Sequence, residues 1–296
     1  MRYQVIHATE YRYISFVQTA RHQFHLTPRR TSWQSVQSGK ISVAPLPGTQ
    51  TSGVDAFGNE VTRIELTTPH NHLKVVSECE LTVAPRPWSD RLDAPVTWEA
   101  TFNALDYQAQ SLDQNLLAAL MMRFESPGVR VKRELEAYAV RSFSAGRPLI
   151  DACRDLMQRI YQEFTYDPSA TEVGTSVMEI FHNRRGVCQD FAHFMIGCLR
   201  AMGLAARYVS GYLRTEPPEG QPRLIGADAS HAWVAVFVPA VGWVEFDPTN
   251  NCFADARYLV LGWGRDFGDV SPIKGVIQGG GDHELVVGVT VIPLEA

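Results

Sequence analysis

The sequence has no CxxC pair, no basic run and no apolar stretch of about 18 residues, the length a membrane helix needs. Each absence removes a class of function. Without paired cysteines a zinc site has little to build on. Cys79, Cys153, Cys188, Cys198 and Cys252 are odd in number and scattered, so they read as reduced thiols and not as a disulfide scaffold. Without a lysine or arginine run nothing tracks a phosphate backbone, and a formal net charge of -5 is mild for 296 residues. No nucleic-acid partner and no membrane partner is expected. The opening segment Met1–Glu10 is too polar for a signal peptide, which points to the cytoplasm.

An apolar content of 45% over 296 residues supplies cores for two ordinary domains. Up to residue 87 the pattern is short alternating stretches broken by turn residues. Val61–Leu66 and Leu73–Val83 read as half-buried strands. Asp55-Ala-Phe-Gly-Asn59 reads as a turn into the first of them, with Gly58 and Asn59 at positive φ. Pro45, Pro47 and Gly48 end an earlier strand near Val43. Residues 1–87 are thus expected to form an antiparallel β domain, and 88–147 a linker followed by helices, Ser111–Met122 among them.

From 148 a core is expected. Pro148 opens a helix running to Phe164, and a short helix leads to Asn183. A third, from Cys188 to Met202, carries a stripe of Phe191, Met195, Leu199 and Met202 and ends at Gly203. Strands follow at Arg207–Leu213, His231–Val238, Gly242–Asp247 and Glu284–Ile292, the last assigned to the same 148–296 core. The fold class is α+β.

Chemistry gathers in three segments: Gly186-Val-Cys-Gln-Asp-Phe-Ala192, Ser230-His-Ala-Trp233 and Gly242-Trp-Val-Glu-Phe-Asp-Pro-Thr249. Cys188 stands at a helix start, where free N–H groups and the helix dipole favour a negative sulfur. Gly186 leaves room for a substrate carbonyl, and the Cys188 amide can serve an oxyanion. A hairpin turn at Pro239 sets His231 directly opposite Asp247. A turn at Ala240 shifts the register by two residues and keeps both on one face. A nucleophile, a base and an orienting acid are the parts of covalent acyl transfer.

Plainer readings apply nearby. Cys153 and Cys198 lie within helices as packing residues, and His193 is a surface or packing residue. Trp233 and Trp243 are core residues of facing strands, unless one walls a cleft. His182, Cys188 and His193 do not make a metal site: five residues advance a helix by about 500°, which leaves Cys188 and His193 about 140° apart.

These segments, with Thr175-Ser176 and Ala206-Arg-Tyr-Val-Ser-Gly-Tyr212, resemble the bacterial transglutaminase-like superfamily, and the strand region with Asp55–Asn59 resembles the β-rich domain that often precedes its core. The resemblance implies a papain-like core whose cysteine heads a helix packed on an antiparallel sheet. It implies Cys188 as nucleophile, His231 as general base and acid, and Asp247 as orienter. It sets Tyr166 near an oxyanion or cleft position. Two departures stand out: Ala205 where the family often has proline, and Ala235 where relatives often carry an acid.

The expected function is a cofactor-free and metal-free cysteine enzyme, in the manner of a cysteine protease, acting on a peptide or amide substrate through an acyl-enzyme. Hydrolysis is favoured over protein-glutamine transamidation because water is always present and no amine-binding acidic patch is evident. From other classes come a binding module that docks a protein partner on its N-terminal sheet, and a redox-sensing thiol with Cys252 as resolving partner.

Overall fold

The computed structural model describes residues 1–106, 114–172, 174–215 and 229–294. Its first sheet is built on one long strand, β1 (Arg2–Phe24), in which buried Tyr3, Val5, His7 and Thr9 alternate with more exposed neighbours. With β2 (Gln34–Ala44), β3 (Thr49–Val54), β4 (Glu60–Leu66) and β5 (His70–Val83) it gives the order β2-β5-β1-β4-β3. The register against β5 breaks between Arg12 and Val17. Beyond the break β1 pairs with β4 from Ala20 to Phe24.

The N-terminal sheet takes in the end of the chain, against the expectation that the last strand belongs to the core. β13 (Ile273–Gly279) and β14 (His283–Leu294) both pair with β1, Arg2 lying opposite Leu294. The physical reason is the free edge of β1. Its ladder groups need partners, and the largely apolar Glu284–Ile292 run supplies them.

Between these parts lie α1 (Trp98–Ala104), α2 (Gln114–Met121), α3 (Arg133–Ala139), α4 (Leu149–Glu163), α5 (Val177–Asn183) and α6 (Cys188–Ala201). Residues 111–113, the expected start of α2, lie outside the described residues. In α4 the apolar residues recur at helical spacing, and Leu149, Ile150, Cys153, Leu156, Met157 and Ile160 are buried. In α6 every residue from Asp190 to Arg200 is buried, so this helix is central to the core. The expected linker is not a free tether: Arg86 and Trp88 are buried, Trp88 within the helical core.

The second sheet has the order β11-β10-β9-β8-β12, every pairing antiparallel, with β8 (Ala206–Leu213), β9 (Ala229–Val238), β10 (Gly242–Asp247), β11 (Cys252–Phe253) and β12 (Tyr258–Gly264). Ala206, Tyr208, Val234, Val236, Val244 and Phe246 pack with the helices. Tyr212, Leu259 and Leu261 pack on Tyr3, Val5, Leu81 and Val291 of the first sheet. Each such buried apolar side chain stabilises by about 1.5–3 kcal/mol, so this sheet is fixed from both sides.

A polar lock joins the two sheets at the Asp55–Asn59 turn. Gly58 has φ +74°, while Asn59 is not at positive φ and instead is fully buried. Its carboxamide donates to the Trp263 carbonyl at 2.9 Å and accepts from the Trp263 N–H at 3.0 Å and from Arg29 at 2.7 Å.

Candidate active site

Cys188 opens α6 because Val187 is extended (φ -111°, ψ -179°) and the chain turns helical only after it. No Ser or Thr precedes the helix, and Asp190 serves instead from its first turn. The Val187 N–H donates to Asp190 Oδ2 at 2.9 Å, and Thr171 Oγ1 donates to the same oxygen at 2.7 Å. Burial raises the Asp190 pKa against these two hydrogen bonds. The gap beside Gly186, expected to admit a substrate carbonyl, is occupied by this carboxylate: a Cβ at 186 would lie 2.7 Å from Asp190 Oδ2. Cys188 is half-buried, whereas Cys79, Cys153 and Cys198 are buried.

The β9–β10 turn centres on Ala240, at φ +63°, with Val238 paired to Gly242 and Phe237 to Trp243. Of the two registers open in the sequence this is the second, and Asp247 lies diagonal to His231. The side chains span the offset. His231 Nε2 meets Asp247 Oδ2 at 2.7 Å, with the carboxylate fully buried.

Asp247 is held by more than the imidazole. Tyr258 donates its hydroxyl to Oδ2 at 2.7 Å, and the Asn250 carboxamide donates to the same oxygen at 2.6 Å. The Thr249 and Asn250 N–H groups donate to Oδ1 at 2.8 and 3.2 Å. Burial opposes a charge here, but the hydrogen bonds and charge of His231, with Asn250 and Tyr258, keep the carboxyl below its ordinary range. Burial likewise works against a charged His231. Hydrogen bonding to Asp247 and Cys188 overcomes it and lifts the imidazole to about 10. Cys188 therefore acts on the ring whose Nε2 Asp247 holds, which leaves Nδ1 for the sulfur.

Trp233 is fully buried and lies near-parallel to His231, ring centroids 6.1 Å apart. It is a backing for the imidazole and not an open cleft wall. Its Nε1 donates to Glu245 at 3.0 Å, and Arg86 donates to the same carboxylate oxygen at 3.3 Å. Glu245 is paired directly opposite Ala235, so a buried acid sits across the ladder from the position that lacks one. Trp243 stands at the other end of β10, against Phe237 and 4.2 Å from the Arg207 guanidinium, and strand length alone separates it from Asp247.

Tyr166 lies in β6 (Thr165–Tyr166), which pairs with β7 (Arg185–Gly186) just before α6. Its ring is exposed, and burial of the hydroxyl and then the charge of Cys188 raise its pKa. Gly211, opposite His231, is required by close approach, since a Cβ there would fall 2.6 Å from the Trp233 ring and closer still to the Leu259 carbonyl. Asn250 and Tyr258 were not legible as site residues: Asn250 reads only as part of a turn, and Tyr258 opens a plain apolar strand. Among the described residues no three His, Cys, Asp or Glu side chains converge as a metal site.

Residues 136–248 match the transglutaminase-like superfamily, and residues 3–89 match the bacterial transglutaminase-like N-terminal region. The chain belongs to the transglutaminase-like superfamily. An uncharacterized protein of Mycobacterium tuberculosis is 38% identical over 301 residues, 99% of this chain and 93% of the relative. One of Mycobacterium leprae is 30% identical over 98% of each chain. A protein-glutamine gamma-glutamyltransferase of Pseudomonas aeruginosa is 38% identical over 98 residues, 32% of this chain and 15% of that one. A Cytophaga hutchinsonii crystal structure, provisionally described as a cysteine protease, superposes with a TM-score of 0.76 at 19% identity, covering 100% of this chain and 91% of that chain. That likeness bears on the fold. Members of the superfamily are typically cysteine-dependent enzymes.

Proposed function

We propose that the protein is a cysteine-nucleophile amide hydrolase working through an acyl-enzyme, with Cys188 as nucleophile, His231 as general acid and base, and Asp247 as its orienter. The observation that carries this reading is the buried His231, joined to Asp247 at 2.7 Å and raised in proton affinity by Cys188. The Cys188 sulfur attacks the carbonyl carbon of a peptide or other amide. The negative oxygen so formed is met by the Cys188 N–H, which has no intrahelical acceptor at the first position of α6. The His231 Nδ1 proton passes to the departing nitrogen as the C–N bond breaks, leaving a thioester and a neutral ring. Water then gives a proton to Nδ1 as its oxygen attacks. Breaking the C–S bond releases the acid and restores the pair.

A second reading is transamidation, in which an amine takes the place of water at the thioester. The similarity of 98 residues to a protein-glutamine gamma-glutamyltransferase favours it. The same thioester serves both, so the nucleophile that reaches it decides the product.

Two experiments test the proposal. Alkylation of Cys188 across pH is expected to proceed well below pH 8 and to move to higher pH in His231→Ala. Ordinary thiol behaviour in both proteins would leave a binding or assembly module as the better account. Incubation with a glutamine peptide and an amine, followed by mass measurement, separates hydrolysis (a gain of one unit from amide to acid) from amine incorporation.

A further inference from the structure

A cavity of about 550 Å³ opens along one side of α6, its lining beginning at the residue after Cys188. Val177, Met178 and Phe267 give it apolar walls, and Arg130 and Lys132 stand on its lining as exposed cations. The helix contributes Gln189, the residue after Cys188, and His193 one turn further on, an i,i+4 pair on one side. Tyr208 lies 5.1 Å from His193 by ring centroids, and the charges of Cys188 and Asp190 act on its hydroxyl.

His193 is 5% exposed, and its Nε2 accepts the Phe267 N–H at 3.0 Å. A backbone N–H can only donate, so Nε2 carries no proton and the neutral ring presents its N–H at Nδ1. Burial, which lowers the ring to about 4, keeps it neutral. Among the described residues Nδ1 has no hydrogen-bond partner, and the His193 side chain lines the cavity. The Asp266 carboxylate in the same wall is already engaged. Its oxygens accept from the Gly128 and Gly268 N–H groups at 2.7 and 2.8 Å, and buried Arg200 balances its charge.

We propose that this cavity receives an acidic side chain of the acyl-donor peptide, a glutamyl residue close to the reacting amide. The inference rests on the amide chemistry proposed for Cys188. The methylenes run between Val177 and Met178, and the carboxylate accepts from His193 Nδ1–H and the Gln189 carboxamide. Lys132 and Arg130 attract it from the rim, Arg130 also standing 3.5 Å from Glu125. A basic side chain would meet donors and like charge, and an aliphatic one would leave the His193 N–H buried and unpaired.

The test uses Cys188→Ala protein, which cannot turn substrate over, and fluorescein-labelled glutamine peptides carrying Glu, Gln or Lys at each position flanking the glutamine. Anisotropy titration is expected to show, at one position, Glu binding about tenfold more tightly than Lys, with Gln between. Lys132→Glu in that background should abolish or invert the order. This side chain is exposed, so the fold is not at stake as it is for His193→Phe, which should weaken the Glu peptide alone. Equal binding of all three peptides, no binding of any, or an order unchanged by Lys132→Glu overturns the proposal. Its failure is distinguishable from that of the thiol chemistry: His231-dependent alkylation without a Glu preference removes only the cavity's role, and a Glu preference without such alkylation removes only the chemistry.

Discussion

Tyr258 donates to the same Asp247 oxygen that accepts from His231, both at 2.7 Å. The phenol therefore holds the carboxylate in the orientation that the imidazole needs, although it touches no reacting atom. Tyr258→Phe keeps the ring and its packing and removes one donor. It should cost about 1–3 kcal/mol by urea unfolding, because a buried carboxylate loses a partner. It should lower kcat more than it changes KM.

Removing the carboxylate is more severe. Asp247→Ala leaves His231, Tyr258 and Asn250 around a gap, and breaking a buried pair of this kind typically costs about 3–5 kcal/mol. Asp247→Asn preserves shape but offers the ring a donor or a neutral acceptor. With amide hydrolysis as the assay, kcat should fall by roughly 10⁴, the loss seen when an orienting acid is so replaced. An Asn variant with wild-type turnover would remove Asp247 from the mechanism.

The pH dependence has a definite sign. His231 titrates at about 10 in the folded chain against about 6.5 unfolded. A raised folded value means that its contribution to stability is complete below about 6.5 and is lost as pH climbs towards 10. Asp247, depressed on folding, contributes above its unfolded value, about 3.9, and its share is lost in acid. The urea midpoint should thus decline from neutral to pH 10 in wild type, and less steeply in His231→Gln. The alkaline limb of kcat should fall in the same range, since the leaving nitrogen needs the imidazolium proton.

The Asn59 lock gives a prediction away from the site. Asn59→Ala strips acceptors and donors from Trp263 and Arg29, at about 1–3 kcal/mol for each buried group left unpaired. Limited proteolysis should cut between the sheets faster in this variant, with the Cys188 alkylation profile unchanged.

Much of this is legible in the sequence. Asp247 and His231 each sit on a short strand with a turn between them, and the two-residue side-chain period keeps them on one face in either register. Cys188 stands two residues after Gly186 and starts an apolar stripe, which fixes a helix start. Other features depend on pairings that local pattern cannot report. β1 reads as several short strands because a central strand with different neighbours along its length has no single alternation. Tyr258 and Glu245 carry no local signal at all, since a tyrosine heading a strand and a glutamate in its middle become meaningful only through what lies across the ladder. Gly186 shows the converse: its small size points to room for a substrate carbonyl, but Asp190 fills that room.

The placement of β14 beside β1 also orders events in time. Arg2 and Leu294 are ladder partners separated by the entire Cys188-bearing core, so during synthesis the first strand waits with one edge bare until that core has emerged. The helices and second sheet can condense meanwhile, and the late strand then closes the structure around them. A chain released before residue 273 would keep Cys188, His231 and Asp247 yet present an open β edge to its neighbours, a form prone to self-association.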